Sequence, residues 1–297
     1  MSDSKYYLPE PSHWPLVGSV GLFVIMFGFA NALPTTSDGE IGSLIPMYIG
    51  FAILIFMLFG WFGTVIRESE SGQYNSQVDT SFRMGMMWFI FSEVMFFAAF
   101  FGALFYMRQL SIPWLAGEGN NAMTNSLLWE NFSGGWASFG NPLVNPDPVA
   151  YPTPKDIIPA TGLPLINTIL LLTSSVTVTF AHHALKAGHR AKLNIWLLIT
   201  VILGFAFIGL QAEEYMHAYN DLGLKLTSGS YGTTFFMLTG FHGLHVTIGA
   251  IMLTVMLLRS LKGHFTEKNH FAFEAAAWYW HFVDVVWVGL FIFVYWV

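Results

Sequence analysis

The chain has 297 residues, 54 % hydrophobic and only 10 % charged, with a formal net charge of −6 and a mean hydropathy of +0.55. Soluble domains are about a quarter charged, so this composition excludes an ordinary water-soluble fold. The absence of cysteine excludes disulfides, iron–sulfur clusters and thiolate metal sites, and no basic tract points to nucleic acid.

Crossing ~30 Å of hydrocarbon takes about 20 apolar residues. Runs of that length occur at roughly 15–33, 44–66, 84–107, 163–185, 192–214, 231–258 and 275–297. They predict an all-α integral membrane fold of seven helices in a single domain spanning 1–297. The first run is followed by Ala30-Asn31-Ala32, which resembles a signal cleavage site. Its leading segment carries Asp3, Glu10 and only Lys5, so it is read as a membrane helix.

With the N-terminus inside, the inner side holds Lys5, Arg67, Arg83, Lys186, Arg190, Lys192, Arg259, Lys262 and Lys268, against Arg108, Lys155 and Lys225 outside. That bias favours a cytoplasmic N-terminus and an outer C-terminus. Residues 108–162 form the one long outer loop. Its seven prolines, in stretches such as NPLVNPDPVAYPTPKD, argue against regular helix and predict an irregular cap on the membrane surface or on a partner. A substrate-binding loop is the other reading.

Glu93 interrupts FIFSEVMFFAAFF near the predicted midplane of the third span. A charge there costs at least ~2.5 kcal/mol, so the carboxyl must face protein or a polar cavity. Three readings are open: a structural carboxyl bonded to a neighbouring helix, a proton-handling or lipid-cleft carboxyl, and a metal ligand. Span four ends with His182 and His183, which suit a helix C-terminus on the inner side; haem ligation there is the alternative. Span five ends GLQAEEYMHAY, where Glu213, Glu214 and His217 read as a solvated helix end, with contact to another subunit as the alternative.

In span six, His242 and His245 stand three apart on one helical face, suited to bonding between helices, with metal ligation as the alternative. In span seven, His281 and Asp284 are again i and i+3. They are read as a structural pair joining this helix to the sixth, or as a proton relay. Glu274 opens that span, where a helix N-terminus suits an anion. Arg67 and Arg259 close spans two and six, as topological anchors and as binders of lipid phosphate.

Taken together, VIRES, FRMGMMWFIFSEVMFF, TFAHHALKAG, LQAEEY, FFMLTGFHGLHVTIGA and FTEKNHFAFEAAAWYWHFVDVVWV resemble subunit III of the haem–copper cytochrome c oxidases. The match runs in order through spans two to seven, most specifically in the last two. The resemblance implies a subunit without haem, copper or any metal of its own. It would flank the catalytic subunit I, which holds the haems and a copper centre. Subunit II receives electrons from cytochrome c. It also implies that helices 1–2 stand apart from helices 3–7 across a V-shaped cleft of bound phospholipids. The carbodiimide-reactive carboxyl of SEVxFF, here Glu93, would lie beside that cleft, with Arg67, Arg259 and Trp61 near lipid headgroups.

The functions so implied are support of proton uptake, protection of the catalytic subunit from turnover-linked inactivation, and oxygen entry. A departure is GQYNSQVD, which stands where relatives often carry histidines; His264 and His270 on the last inner loop are the candidates to substitute for them. The outer loop is longer than in mitochondrial relatives, which points to a bacterial aa3-type oxidase in an inner membrane with a periplasmic C-terminus. Two other classes remain in view. One is a proton channel or transporter using Glu93, His242, His281 and Asp284 as a relay; the other is a bis-histidine haem cytochrome.

Overall fold

The computed structural model describes residues 7–8, 10–33, 42–128, 130, 132, 135–136 and 154–296. Helices α1 (Trp14–Ala32), α2 (Ile45–Glu70), α3 (Ser76–Tyr106), α6 (Leu163–Lys186), α7 (Arg190–His217), α8 (Gly229–Leu261) and α9 (Phe271–Leu290) carry seven segments long and apolar enough to cross a membrane. The shorter α4 (Ile112–Leu115) and α5 (Ala122–Leu128) follow α3, and no strand occurs among the described residues. The all-α membrane fold read from hydropathy is the fold observed.

The third span, Ser76–Leu115, is longer than its apolar run at both ends. It begins at Ser76 rather than near 84, because Asn75 caps it. The Asn75 Oδ1 accepts hydrogen bonds from the backbone N–H groups of Gln77 and Val78 at 3.1 and 3.0 Å. An Asp79–Arg83 pair at 2.8 Å then supports the polar first turns. At the other end the chain passes through a π-helical turn, Met107–Ser111, directly into α4. The loop expected from 108 therefore starts after Leu115. Pro113 permits this because it lies in the first turn of α4, where a missing N–H forfeits no bond within that turn.

Asp3, Lys5, Trp129 and the proline-rich stretch from Asn141 to Tyr151 lie outside the described residues. Trp136 and the segment from Lys155 to Ile158 pack on the chain's own helices, whereas Met123, Leu127 and Leu128 of α5 are exposed. Trp136 meets Tyr231 edge-on and lies 5.7 Å from the Arg108 guanidinium. The Lys155 N–H donates to the Leu222 carbonyl at 2.8 Å, and Ile158 is buried.

The chain divides into two compact units, residues 1–84 and 85–297. In the first, α1 and α2 approach closely through glycines. A Cβ at Gly28 would stand 2.2 Å from the Met47 backbone nitrogen, and one at Gly50 2.6 Å from that of Ile25. Their large apolar side chains point outward instead, Phe59 being 78 % exposed and Phe23 70 %. An outward apolar surface on uninterrupted helices is what a hydrocarbon solvent requires.

In the second unit, α9 is the most enclosed of the spans. Trp280 and Trp287 are fully buried, and each indole N–H has a partner on α6: Ser174 Oγ at 2.8 Å and Thr168 Oγ1 at 2.9 Å. The Trp280 ring fits only because α7 and α8 present glycine to it. A Cβ at Gly204 or Gly249 would approach its ring atoms to 2.8 and 2.9 Å. We expect Gly249→Ala to destabilise the folded chain by about 1–3 kcal/mol through overpacking. Trp280→Phe, although itself destabilising, should reduce the cost of the added methyl. Thermal unfolding in detergent of the two single variants and the double variant checks this, and strictly additive losses would count against the packing described.

Candidate functional site

The carboxyl of Glu93 meets α8. Within the second unit, α3 faces α8 and α9 largely through aromatic rings. Phe96 and Phe100 lie against Phe241 at ring-centroid separations of 5.2 Å, and Phe97 lies 5.0 Å from the His245 ring. Inside that layer, Glu93 Oε2 stands 2.7 Å from His245 Nε2, with the two side chains 21 % and 11 % exposed.

The other imidazole nitrogen decides what this contact is. His245 Nδ1 lies 2.6 Å from the Phe241 carbonyl oxygen, which can only accept, so Nδ1 carries a proton. One further proton then lies between Nε2 and the carboxyl. The pair is either a carboxylic acid donating to a neutral imidazole or a carboxylate accepting from an imidazolium. In both states its net charge is zero, which removes most of the penalty of burying an isolated ion.

The remaining polar groups sort by helix face. His242 is fully buried and points to α9, donating from Nε2 to the Val283 carbonyl at 3.0 Å between Phe207 and Trp287. His281 and Asp284 do not join α9 to α8 as their spacing predicts. His281 instead faces α6, with Nδ1 2.5 Å from Ser175 Oγ and Nε2 3.4 Å from Thr179 Oγ1. Asp284 also reaches Ser175. The polar stripe of α6 offered nearer partners than α8 did. No hydrogen bond among the described residues connects Glu93, His242, His281 and Asp284 to one another.

The arginines differ from one another. Arg67 is exposed and bonds Thr64 Oγ1 on its own helix at 3.2 Å, and Trp61 is 42 % exposed. Arg259 is only 8 % exposed, with its guanidinium 4.8 Å from the Phe265 ring centroid. Among the inner-loop imidazoles, His270 is half-buried and lies 5.5 Å from the His182 ring rather than standing free on a surface.

Glu214 is the clearest departure from the sequence reading. Glu213 is exposed, but Glu214 is fully buried, not a solvated helix end. Tyr295 Oη donates to its Oε1 at 2.5 Å and Gln211 Nε2 stands at 3.3 Å. A signal was available: Gly204, Phe207, Gln211, Glu214 and Ala218 recur at the three- and four-residue steps of one buried helical stripe. We expect Tyr295→Phe to cost about 1–3 kcal/mol, because it strips the donor from a buried carboxyl. The same change should cost less on a Glu214→Leu background, and a double-mutant cycle by thermal unfolding measures the difference.

The sequence was compared with known families and relatives. The family model described as Cytochrome c oxidase subunit III matches residues 4–117 and 134–297, with the break in the outer loop. Among curated relatives, proteins named Cytochrome c oxidase subunit 3 from Rattus norvegicus and Tetraodon nigroviridis are 41 % and 39 % identical over 292 residues, covering 98 % of this chain and 96 % of each relative. The protein of that name from Latimeria chalumnae is 39 % identical with the same coverage. Those proportions, together with the order of the seven spans, leave one conclusion: this chain belongs to the cytochrome c oxidase subunit III family.

Proposed function

We propose that the chain is a non-catalytic core subunit of a proton-pumping cytochrome c oxidase, seated directly against subunit I in a complex with subunit II. It stabilises the catalytic subunit while oxygen is reduced to water with electrons from cytochrome c. Haem and copper belong to those partners. The observation that carries the reading is the Glu93–His245 contact, a carboxyl and an imidazole 2.7 Å apart at mid-helix. Such a pair holds one mobile proton at constant net charge, which suits support of proton uptake by a neighbour.

The exposed Arg67 and Trp61 support contact with phospholipid headgroups, whereas the burial of Arg259 beneath Phe265 leaves it mainly an anchor. The outward apolar faces of α1, α2 and α3 support a lipid-lined approach for oxygen, itself an apolar solute. The cationic bias of the segments on one side supports a cytoplasmic N-terminus and an outer C-terminus. The gap in the family match at residues 118–133 supports an enlarged outer loop and, with it, a bacterial plasma membrane, although the relatives named above are animal proteins.

The test is to remove or alter the subunit in the purified oxidase. Without the chain, the remaining complex should keep its haem absorption and still reduce oxygen, but lose activity progressively during turnover; loss of haem on removal would refute the reading. Glu93→Gln should assemble, since its carboxamide can donate to His245 Nε2, while proton uptake slows. His245→Phe deprives the carboxyl of its partner and should cost about 1–3 kcal/mol of stability. In wild type, a hydrophobic carbodiimide should label Glu93, as peptide mapping would reveal. Adducts found only elsewhere would contradict the assignment of this carboxyl.

A further inference from the structure

At the end of the second unit where α6 finishes and α9 begins, His182, His270 and Glu274 converge. One ligand-type atom from each lies within 4.8 Å of the other two. None of them belongs to the Glu93 site, and the reading above makes no use of them. His182 is on the last turns of α6, His270 is the residue that caps α9, and Glu274 lies one turn into α9.

Two independent features say what this cluster is prepared for. The first is that His182 Nε2 is buried and has no hydrogen-bond partner among the described residues. A buried imidazole nitrogen left without a partner is costly unless something occupies it. The second is the orientation of His270. Its Nδ1 donates to the Thr266 carbonyl at 3.0 Å, which fixes the tautomer and leaves the Nε2 lone pair available. Holding the distal N–H on a backbone carbonyl is how proteins orient metal-bound histidines. Phe273, 5.7 Å from the His182 ring, gives the cluster an apolar wall.

We propose that His182, His270 and Glu274 form a divalent-metal site whose donor set fits Zn²⁺, with water as the fourth ligand. Two imidazole nitrogens and one carboxylate oxygen are a common zinc set, and bonds of about 2.0–2.1 Å place tetrahedral ligands about 3.3 Å apart. The present spacing is up to 4.8 Å, so a bound ion would draw the ligand atoms together by roughly 1.5 Å.

The charges around the site set its strength. Lys186 and His183 of α6 lie close enough to act electrostatically on His182, as do His270 and Glu274. Lys186 opposes a cation and Glu274 favours one. The C-terminal end of α6 and the N-terminal end of α9 carry opposite partial charges and roughly cancel. A bound ion would clamp the start of α9 to the end of α6.

The experiment uses the purified oxidase containing this chain, treated with chelator and then dialysed against radioactive Zn²⁺. Wild type should bind one equivalent that His182→Gln, His270→Gln and Glu274→Gln each weaken by roughly tenfold or more. His183→Gln should leave binding unchanged, and Lys186→Met should tighten it by removing a facing positive charge. Zinc-edge X-ray absorption of wild type minus Glu274→Gln should report two imidazoles and one carboxylate. Should either histidine variant fail to assemble, Glu274→Gln and Lys186→Met still decide. Equal zinc affinity and stoichiometry in wild type, Glu274→Gln and Lys186→Met would overturn the site.

Discussion

A carboxyl group in the interior of a membrane helix persists only where its charge is cancelled on the spot, and in this chain one proton shared with an imidazole does the cancelling. The Phe241 carbonyl fixes the proton on His245 Nδ1, so Nε2 must deal with Glu93. That also gives α3 a defined orientation. Its other contacts with α8 and α9 are largely between phenylalanine rings, which slide and tilt at little cost. A 2.7 Å contact between two particular atoms does not. The polar pair therefore supplies direction to an interface whose apolar contacts supply mostly area.

The same division of labour recurs through the second unit. Thr177 of α6 bonds Thr200 of α7 at 2.8 Å, Tyr215 of α7 bonds Thr239 of α8 at 2.6 Å, and Ser260 of α8 donates to Asn194 of α7 at 2.5 Å. One of these bonds joins α6 to α7 and two join α7 to α8. In lipid there is no hydrophobic force between helices, so close packing and such bonds must hold them together. Glycine at Gly204 and Gly249 provides the closeness, because it lets a whole indole ring enter between α7, α8 and α9.

How much of this could be read from sequence follows from the same physics. Hydropathy identifies the spans because an apolar run has a minimum length set by the bilayer. It misses the first turns of α3, which are polar and depend on the Asn75 cap and the Asp79–Arg83 pair. Spacing at i and i+3 puts His281 and Asp284 on one face, yet it does not say which neighbouring helix that face meets. They face the Ser175 side of α6, not α8. The Glu213–Glu214 doublet looks uniformly polar as text, but adjacent residues on a helix diverge by about 100°, so one reaches solvent while the other enters the bundle. The cluster of His182 with His270 and Glu274 was half visible, as an H-x-x-x-E at the start of a helix. The third member comes from a helix whose position only the fold reveals.

The ionisable groups of the second unit occupy separate levels of the bundle. Glu274, near the start of α9, and Tyr295, in the π-helical turn that follows it, are about 30 Å apart along the axis at ~1.5 Å per residue. Between them lie Trp280, Phe282, Val283, Trp287 and Leu290, all buried, and His281 is bonded sideways to α6 rather than up or down the axis. A chain that carried protons across the membrane by itself would need donors and acceptors in sequence along that distance. Among the described residues, His281 and Glu214 each bond a partner at their own depth, Ser175 and Tyr295, rather than one another.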